Sequence, residues 1–307
     1  MRTAFIETLC ELANLDRRIW LLCGDLGYSV LERFAQKYPD RYVNMGVAEQ
    51  NMTGVAAGLA LEGKIVFTYS IANFPIIRCL EQVRNDVCYH NLNVKIVAVG
   101  GGMAYGAAGY THHAVEDLAI TRAMPNMTVV APGDPVEVKC ATKAIANHIG
   151  PCYLRLGKGG EPIVHTQELY FQLGKAIWLR QSKNITFIST GAILSEVIRA
   201  ADDLASRGIQ AGVVSIPTLK PLDEETIRIV AARSGQIVTV EEHSSYGGLG
   251  EAVAGVLANL ETPYSGLKRV NLTTSYSTAI GSQKRLRQKF AMDAASLASL
   301  ALKSLGG

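Results

Sequence analysis

The sequence predicts an α/β protein: a parallel sheet with helices on both faces, followed by a smaller α/β domain. Three observations lead there. Short apolar runs alternate with longer stretches of helical periodicity, the mark of a parallel sheet crossed over by helices. The 307 residues exceed one ordinary core and suit two. Periodicity lapses from Gly157-Lys158-Gly159-Gly160 onward, which divides the chain into residues 1–160, a linker over 161–175 and a second domain over 176–307.

The elements follow in order. Residues 3–14 form a helix with Phe5, Leu9 and Leu12 on one face. Ile19–Cys23 is a strand ending at Gly24-Asp25. Residues 47–61 are a helix rich in alanine and glycine, which allows close backbone packing. Ile65–Tyr69 is a strand, Pro75–Tyr89 a helix, and Val94–Val99 a strand that runs into Gly100-Gly101-Gly102. Thr111 is placed to cap a helix that Pro125 stops. Met127–Ala131 is a strand, Asp134-Pro135 a cap followed by proline at the first helical position, and Cys152–Leu156 a strand. The second domain reads as strand Ile185–Ser189, helix Leu194–Arg207, strand Ala211–Ile216, helix Glu224–Arg233, strand Gln236–Glu241 and helix Leu249–Leu260. Ligands of open parallel sheets sit at the carboxyl ends of the strands. Asp25, Tyr69–Phe74, Gly100–His113 and Arg155–Lys158 therefore share one edge.

Composition narrows the function. Hydrophobic residues make up 48% and charged residues 19%, the balance of a globular chain. A net charge of +3 with scattered lysines and arginines argues against nucleic acid as a partner. No apolar run is long enough for a membrane span, and the start carries Glu7 and Glu11 in an amphipathic pattern unlike a signal peptide. The six cysteines form no CxxC pair, so a zinc site is not expected; buried, reduced thiols in a cytoplasmic protein are. No metal-ligand set is read from the chain.

Three stretches can carry chemistry. In Asn44-Met45-Gly46-Val47-Ala48-Glu49-Gln50-Asn51-Met52, Glu49 lies among small and apolar neighbours. A carboxyl group in such a setting is expected to have a raised pKa and to donate a hydrogen bond to a ring nitrogen. Tyr69-Ser70-Ile71-Ala72-Asn73-Phe74 sits where a strand meets a helix, and its aromatics suit either a core or a wall for a flat heterocycle. Tyr110-Thr111-His112-His113-Ala114-Val115-Glu116-Asp117 puts two histidines at an expected helix N-terminus, where the dipole disfavours their charged forms. Gly100-Gly101-Gly102-Met103-Ala104-Tyr105-Gly106 is glycine-rich but is not the dinucleotide fingerprint.

Together these stretches resemble the pyrimidine-binding domain of transketolases. Gly46–Met52 followed by Ala56-Ala57-Gly58-Leu59-Ala60 is similar to the family's activating-glutamate helix. Thr111-His112-His113 with Glu116-Asp117 is similar to its substrate-histidine motif, and Pro125–Pro132 to the strand after it. Glu241-Glu242-His243-Ser244 with Gly247-Gly248-Leu249-Gly250 resembles the start of its C-terminal domain helix. The resemblance covers nearly the whole chain in the family's order. It implies a pyrimidine-binding thiamine-diphosphate fold followed by a transketolase C-terminal-type domain, and transfer of a two-carbon ketol unit between sugars.

The resemblance also assigns roles. Glu49 matches the glutamate that promotes the imino tautomer of thiamine diphosphate, and with His112 forms the catalytic pair. Phe74 matches the aromatic on which the pyrimidine stacks; Ile71 stands where the family often has a second one, and Tyr69 and Asp25 complete the cofactor-contacting positions. Ser29, His112, His113, Lys158 and Arg155 fall on the substrate side, Lys158 at the place of a phosphate-holding basic residue. The family's Gly-Asp-Gly motif with downstream asparagines, which grips the diphosphate and Mg²⁺, has no counterpart: the chain has only Gly24-Asp25-Leu26. This implies a natural split, with a separate diphosphate-binding subunit holding the Mg²⁺ in an α2β2 assembly. Ala108 and Gly100 replace an aspartate and a histidine that read substrate in relatives, so the substrate is left open. The alternatives are an enzyme taking pyruvate or another 2-oxoacid as donor (deoxyxylulose-phosphate-synthase-like, or a 2-oxoacid dehydrogenase β subunit) and a non-catalytic interaction protein retaining the fold.

Overall fold

The computed structural model describes residues 1–261, 263–273 and 275–306. The first unit contains α1 (Arg2–Leu15), β1 (Ile19–Cys23), α2 (Glu32–Lys37), β2 (Tyr42–Asn44), α3 (Glu49–Leu61), β3 (Ile65–Ile71), α4 (Leu80–Gln82), β4 (Val94–Val99), α5 (Asp117–Ala123), β5 (Thr128–Val130), α6 (Pro135–Asn147) and β6 (Cys152–Leu156). The second contains β7 (Ile177–Arg180), β8 (Ile185–Ser189), α7 (Leu194–Ser206), β9 (Ala211–Ser215), β10 (Thr218–Lys220), α8 (Glu224–Arg233), β11 (Gln236–Ser244), α9 (Leu249–Ala258), β12 (Leu267–Leu272), α10 (Gln283–Lys289) and α11 (Ala294–Ser304).

The first sheet has seven strands in the order β10-β5-β6-β4-β3-β1-β2, and β1 to β6 run parallel. Every residue of β4 and β6 is buried, as expected for central strands covered on both faces. Side chains alternate across the sheet. Leu21, Phe67, Val97 and Leu154 join Phe5 and Leu9 of α1 in one core, while Leu22, Val66, Ile96 and Tyr153 join Met52 of α3 in the other. The second sheet runs β12-β11-β8-β9-β7, with only β7 antiparallel to its neighbour. Five of the six cysteines are buried and all are free thiols. Among the described residues no helix is long and apolar enough to cross a membrane.

Two elements depart from the sequence reading. Thr111 does not cap a helix. Residues Tyr110–His112 make one tight turn, His113 is extended, and α5 starts only at Asp117. The expected continuous helix from Pro75 to Tyr89 is instead broken into a wide π-helical turn at Phe74–Arg78, the short α4, and a second π-helical stretch at Val83–Cys88. Such wide turns recur at functional sites.

The units are joined by more than the linker. Strand β10 belongs by sequence to the second unit but pairs antiparallel with β5 of the first sheet. Ser244 N–H donates to Val115 O at 2.7 Å. Lys220 Nζ donates to the carbonyls of Arg122 and Met124, which end α5. Buried His243 also serves this joint, accepting from Ala119 N–H of α5, while Glu241 beside it accepts from Leu249 and Gly250 N–H at the start of α9 within the second unit.

Candidate active site

Glu49 is the first residue of α3, and its side chain is 1% exposed. It is not the lone carboxyl expected among apolar neighbours. Arg78, from the wide turn, donates from Nη1 to Glu49 Oε2 at 2.9 Å. The same guanidinium lies over the Phe74 ring, with its carbon 4.4 Å from the centroid. A π-turn has a longer repeat than an α-turn, and here residues four apart, Phe74 and Arg78, meet on one side. Phe74 also meets His112 edge to face, at 5.4 Å between centroids. Asn73 ties the two loops together, donating from Nδ2 to Thr111 O at 2.7 Å. Thr111 Oγ1 sits 3.0 Å from His112 Nδ1 and fixes the ring.

A row of side chains continues from His112. Tyr105 lies 6.3 Å from it, and Lys158 Nζ stands 4.8 Å over the Tyr105 ring. The three glycines after β4 are explained by what packs on them. A Cβ would collide with the Tyr105 ring at Gly100, fall 2.5 Å from Arg155 Nε at Gly101, and fall 2.5 Å from Glu242 Cβ at Gly102. Gly100 thus leaves to Tyr105 the volume that a side chain at position 100 would fill.

On the outer side, a cavity of about 770 Å³ is lined by Phe74, Arg78, Tyr110, His112 and Tyr276. Tyr276 comes from the second unit and meets Tyr110 edge to face at 4.5 Å. A larger hollow of about 900 Å³, lined by Lys268, Ser299 and Lys303, contains none of the candidate residues and offers no comparable chemistry.

The remaining candidates divide. Asp25 and Ser29 are exposed at the mouth of β1, with φ of 54° and 62°. Asn44 locks the Asp25 turn, accepting from Asp25 N–H at 3.1 Å and donating to Asp25 Oδ1 at 2.9 Å. Lys158 is exposed and close to the row. Ile71 ends β3 half-buried, and the aliphatic residues that line the cavity with Phe74 are Ile77 and Ile120.

Three expectations are corrected. Tyr69 is 1% exposed and stacks on Phe5 at 6.0 Å, so it is core rather than cofactor wall; burial raises its phenol pKa. Arg155 does not face substrate. It is 5% exposed and donates to Asp117 Oδ2 at 2.8 Å and Oδ1 at 3.1 Å, and to the carbonyls of Ala114 and Glu242. His113 lines the same cavity as His112 but is only 3% exposed, with Nε2 lacking a hydrogen-bond partner. Its pKa is lowered by burial, not by a helix dipole, because no helix begins there.

Sequence reasoning missed Arg2, Arg78 and Tyr276. Arg2, on α1, lies beside Tyr69 and within 3.4 Å of where a Cβ on Gly159 would stand, and its Nε has no hydrogen-bond partner. No local signal marks Arg2 or Tyr276, since each reaches the site from a distant part of the chain. Arg78 does have one: it stands four residues after Phe74, in the first turn of the helix predicted to start at Pro75.

The fit to a heterocyclic cofactor can be judged from these residues alone. A buried carboxyl group and an aromatic face, the edge and face that an aminopyrimidine ring can use, converge in one patch with an imidazole beside them. Among the described residues, no three histidine, cysteine, aspartate or glutamate side chains gather in a way that could hold a metal ion.

Comparison with known proteins places the chain in a family. Residues 1–161 match the family described as transketolase, pyrimidine binding domain, and residues 174–297 match transketolase, C-terminal domain. The chain is 40% identical over 264 residues to one of the subunits of an apulose-4-phosphate transketolase from Phocaeicola vulgatus, covering 85% of each chain. It is 39% identical over 296 residues to the 6-deoxy-6-sulfo-D-fructose transketolase subunit SqwH of a Clostridium species, covering 96% of this chain and 91% of that one. A solved split-gene transketolase, an inactive β4 tetramer, superposes with a TM-score of 0.89 at 38% identity, covering 99% and 98% of the two chains.

Proposed function

This chain belongs to the transketolase family, and from that premise we propose that it is one subunit of a two-component, thiamine-diphosphate-dependent transketolase that moves a two-carbon ketol unit between sugars. The observation that carries the reading is the convergence of buried Glu49, the Phe74 face and His112 on one patch. Thiamine diphosphate, when bound, supplies a carbanion equivalent at its thiazolium carbon. Glu49 holds a proton at the distal nitrogen of the pyrimidine, in a site screened from water by α3 and the wide turn. Phe74 stacks on the ring. His112, fixed by Thr111, hydrogen-bonds the reacting oxygens of substrate and can pass a proton to them. The diphosphate and its Mg²⁺ are assigned to a separate subunit, in an α2β2 assembly.

Arg2 and Lys158 suit an anionic end group on the sugar. The names of the two relatives, one a sugar phosphate and the other a sulfo sugar, both carry such a group. Tyr105, seated in the room that Gly100 leaves, offers the sugar an aromatic surface where relatives have a histidine, so selectivity for the common pentose phosphates is expected to be weak.

The test is to combine the chain with a diphosphate-binding subunit, thiamine diphosphate and Mg²⁺. The pair is assayed with xylulose 5-phosphate plus ribose 5-phosphate, with sulfonated ketoses, and with pyruvate plus sugar aldehydes. Ketol transfer by the pair and none by the chain alone is expected. Turnover by the chain alone would overturn the two-component assignment, and consumption of pyruvate would overturn the ketol donor.

A further inference from the structure

The wide turn brings a planar cation to a place where two other contacts are already spoken for. Arg78 donates to Glu49 Oε2 at 2.9 Å, and its guanidinium carbon stands 4.4 Å over the Phe74 ring. Those are the two groups that the proposed function assigns to the cofactor's pyrimidine: the carboxyl oxygen that meets a ring nitrogen, and the aromatic face on which the ring stacks. A guanidinium is flat, delocalised, rich in N–H donors and prone to stack on aromatics. It reproduces the polar edge and the face of an aminopyrimidine with one side chain.

We propose that Arg78 competes with the cofactor's heterocycle for Glu49 and Phe74, so that cofactor binding requires the Arg78 side chain to swing aside. The inference rests on the reading of Glu49 and Phe74 given above. The side chain can make that swing: it is 47% exposed and lies on the wall of the 770 Å³ cavity, whereas Glu49 is 1% exposed and fixed at the start of α3. The turn that carries it is π-helical, and the residue after it, Cys79, has φ of −115° and ψ of 19°, outside the helical range. Arg78 therefore sits at the end of a short wide turn rather than inside a rigid α-helix.

Competition makes a prediction of unusual sign. Removing a cation near the site of a diphosphate ordinarily weakens binding, by loss of long-range attraction. Removing a competitor tightens it. The experiment is calorimetry of thiamine diphosphate with Mg²⁺ binding to the reconstituted pair of subunits, for wild type, Arg78→Ala and Arg78→Met. A half-exposed ion pair and one cation–π contact together suggest a Kd tighter by about 3- to 10-fold in both variants. Phe74→Ala is expected to weaken binding in the wild-type background, and by more in the Arg78→Ala background, where nothing displaces the ring from that face. An unchanged or weaker Kd in both Arg78 variants would overturn the competition and make Arg78 a residue that orients Glu49 for the cofactor. Failure of the wild-type pair to bind at all would overturn the proposed function itself, and the two failures are told apart by the wild-type titration.

Discussion

Replacing Asp117 by Asn tests what Arg155 is for. In the structure Asp117 is fully buried and accepts three hydrogen bonds: two from Arg155, at 2.8 and 3.1 Å, and one from Tyr153 OH at 2.6 Å. Arg155 spends its other contacts on Ala114 O at 2.6 Å and Glu242 O at 3.0 Å, so one side chain ties α5, the histidine loop and the second unit together. Asparagine keeps the shape but loses the charge, and turns an N–H₂ toward a guanidinium. Breaking one side of a buried ion pair costs about 3–5 kcal/mol, because the remaining charge is left uncompensated. Loss of a carboxylate at the first turn of α5 adds about 0.3–1 kcal/mol. With a urea slope near 3 kcal/mol/M, the denaturation midpoint should fall by about 1–2 M. Arg155→Met should cost a similar amount, and the double variant less than the sum of the two. A midpoint shift under about 0.3 M in Asp117→Asn, together with a raised KM in Arg155→Met, would refute the bracing role and return Arg155 to the substrate side.

Three further outcomes are expected. Glu49→Gln should leave the fold intact and lower turnover of the reconstituted pair by roughly 10²–10⁴-fold at saturating cofactor, and rates near wild type would remove Glu49 from the chemistry. Glu137 is completely buried, and burial pushes its carboxyl up to about 7; the adjacent His165 is also raised, since Asp134 and Glu137 outweigh its burial. Both groups hold more protons folded than unfolded: the Glu137 contribution is complete below the ordinary glutamate pKa and is lost as pH rises through about 7, and the His165 contribution is complete below the ordinary histidine pKa and is lost at higher pH. Glu137→Gln should flatten the stability profile between pH 5 and 7 relative to wild type, by up to about 1.4 kcal/mol per pH unit, and parallel profiles would exclude the linkage. Gly100→Ala should lower the Tm and shift substrate KM, because its Cβ would collide with the Tyr105 ring on a backbone with φ of +86°. Adding Tyr105→Ala should restore only part of the stability, since the backbone strain remains; full restoration would show that the clash alone mattered.

Much of the first unit was legible because its signals are local. The alternation of apolar runs and helical periods marked β1, β3, β4, β6 and α1 near their observed bounds, and the cap and proline marked the start of α6. Glu49, Phe74 and His112 could each be singled out because each lies within its own short stretch, but the meeting of Phe74 with His112 could not be read from either. Placement at a strand's carboxyl end says which edge a residue occupies but not which face. Tyr69 shares its face with Phe67, two residues earlier, and both meet Phe5; strict alternation along β3 would have put Tyr69 in that core. Tyr153 and Arg155 likewise share the face that meets Asp117. Arg2 and Tyr276 escaped for the opposite reason: they reach the site from the first helix and from the last third of the chain, and no local pattern records such meetings.

The antiparallel pairing of β10 with β5 makes the linker a poor place to divide the molecule. In a fragment ending near residue 160, β5 would become a bare outer strand with a row of unsatisfied amides and carbonyls, and nothing in Thr128-Val129-Val130 carries the charge or proline that usually guards such a border. Such a fragment would be prone to strand-by-strand self-association. The second unit thus works as a built-in guard for the first, and the two are best regarded as one inheritable piece that gains or loses its solubility together.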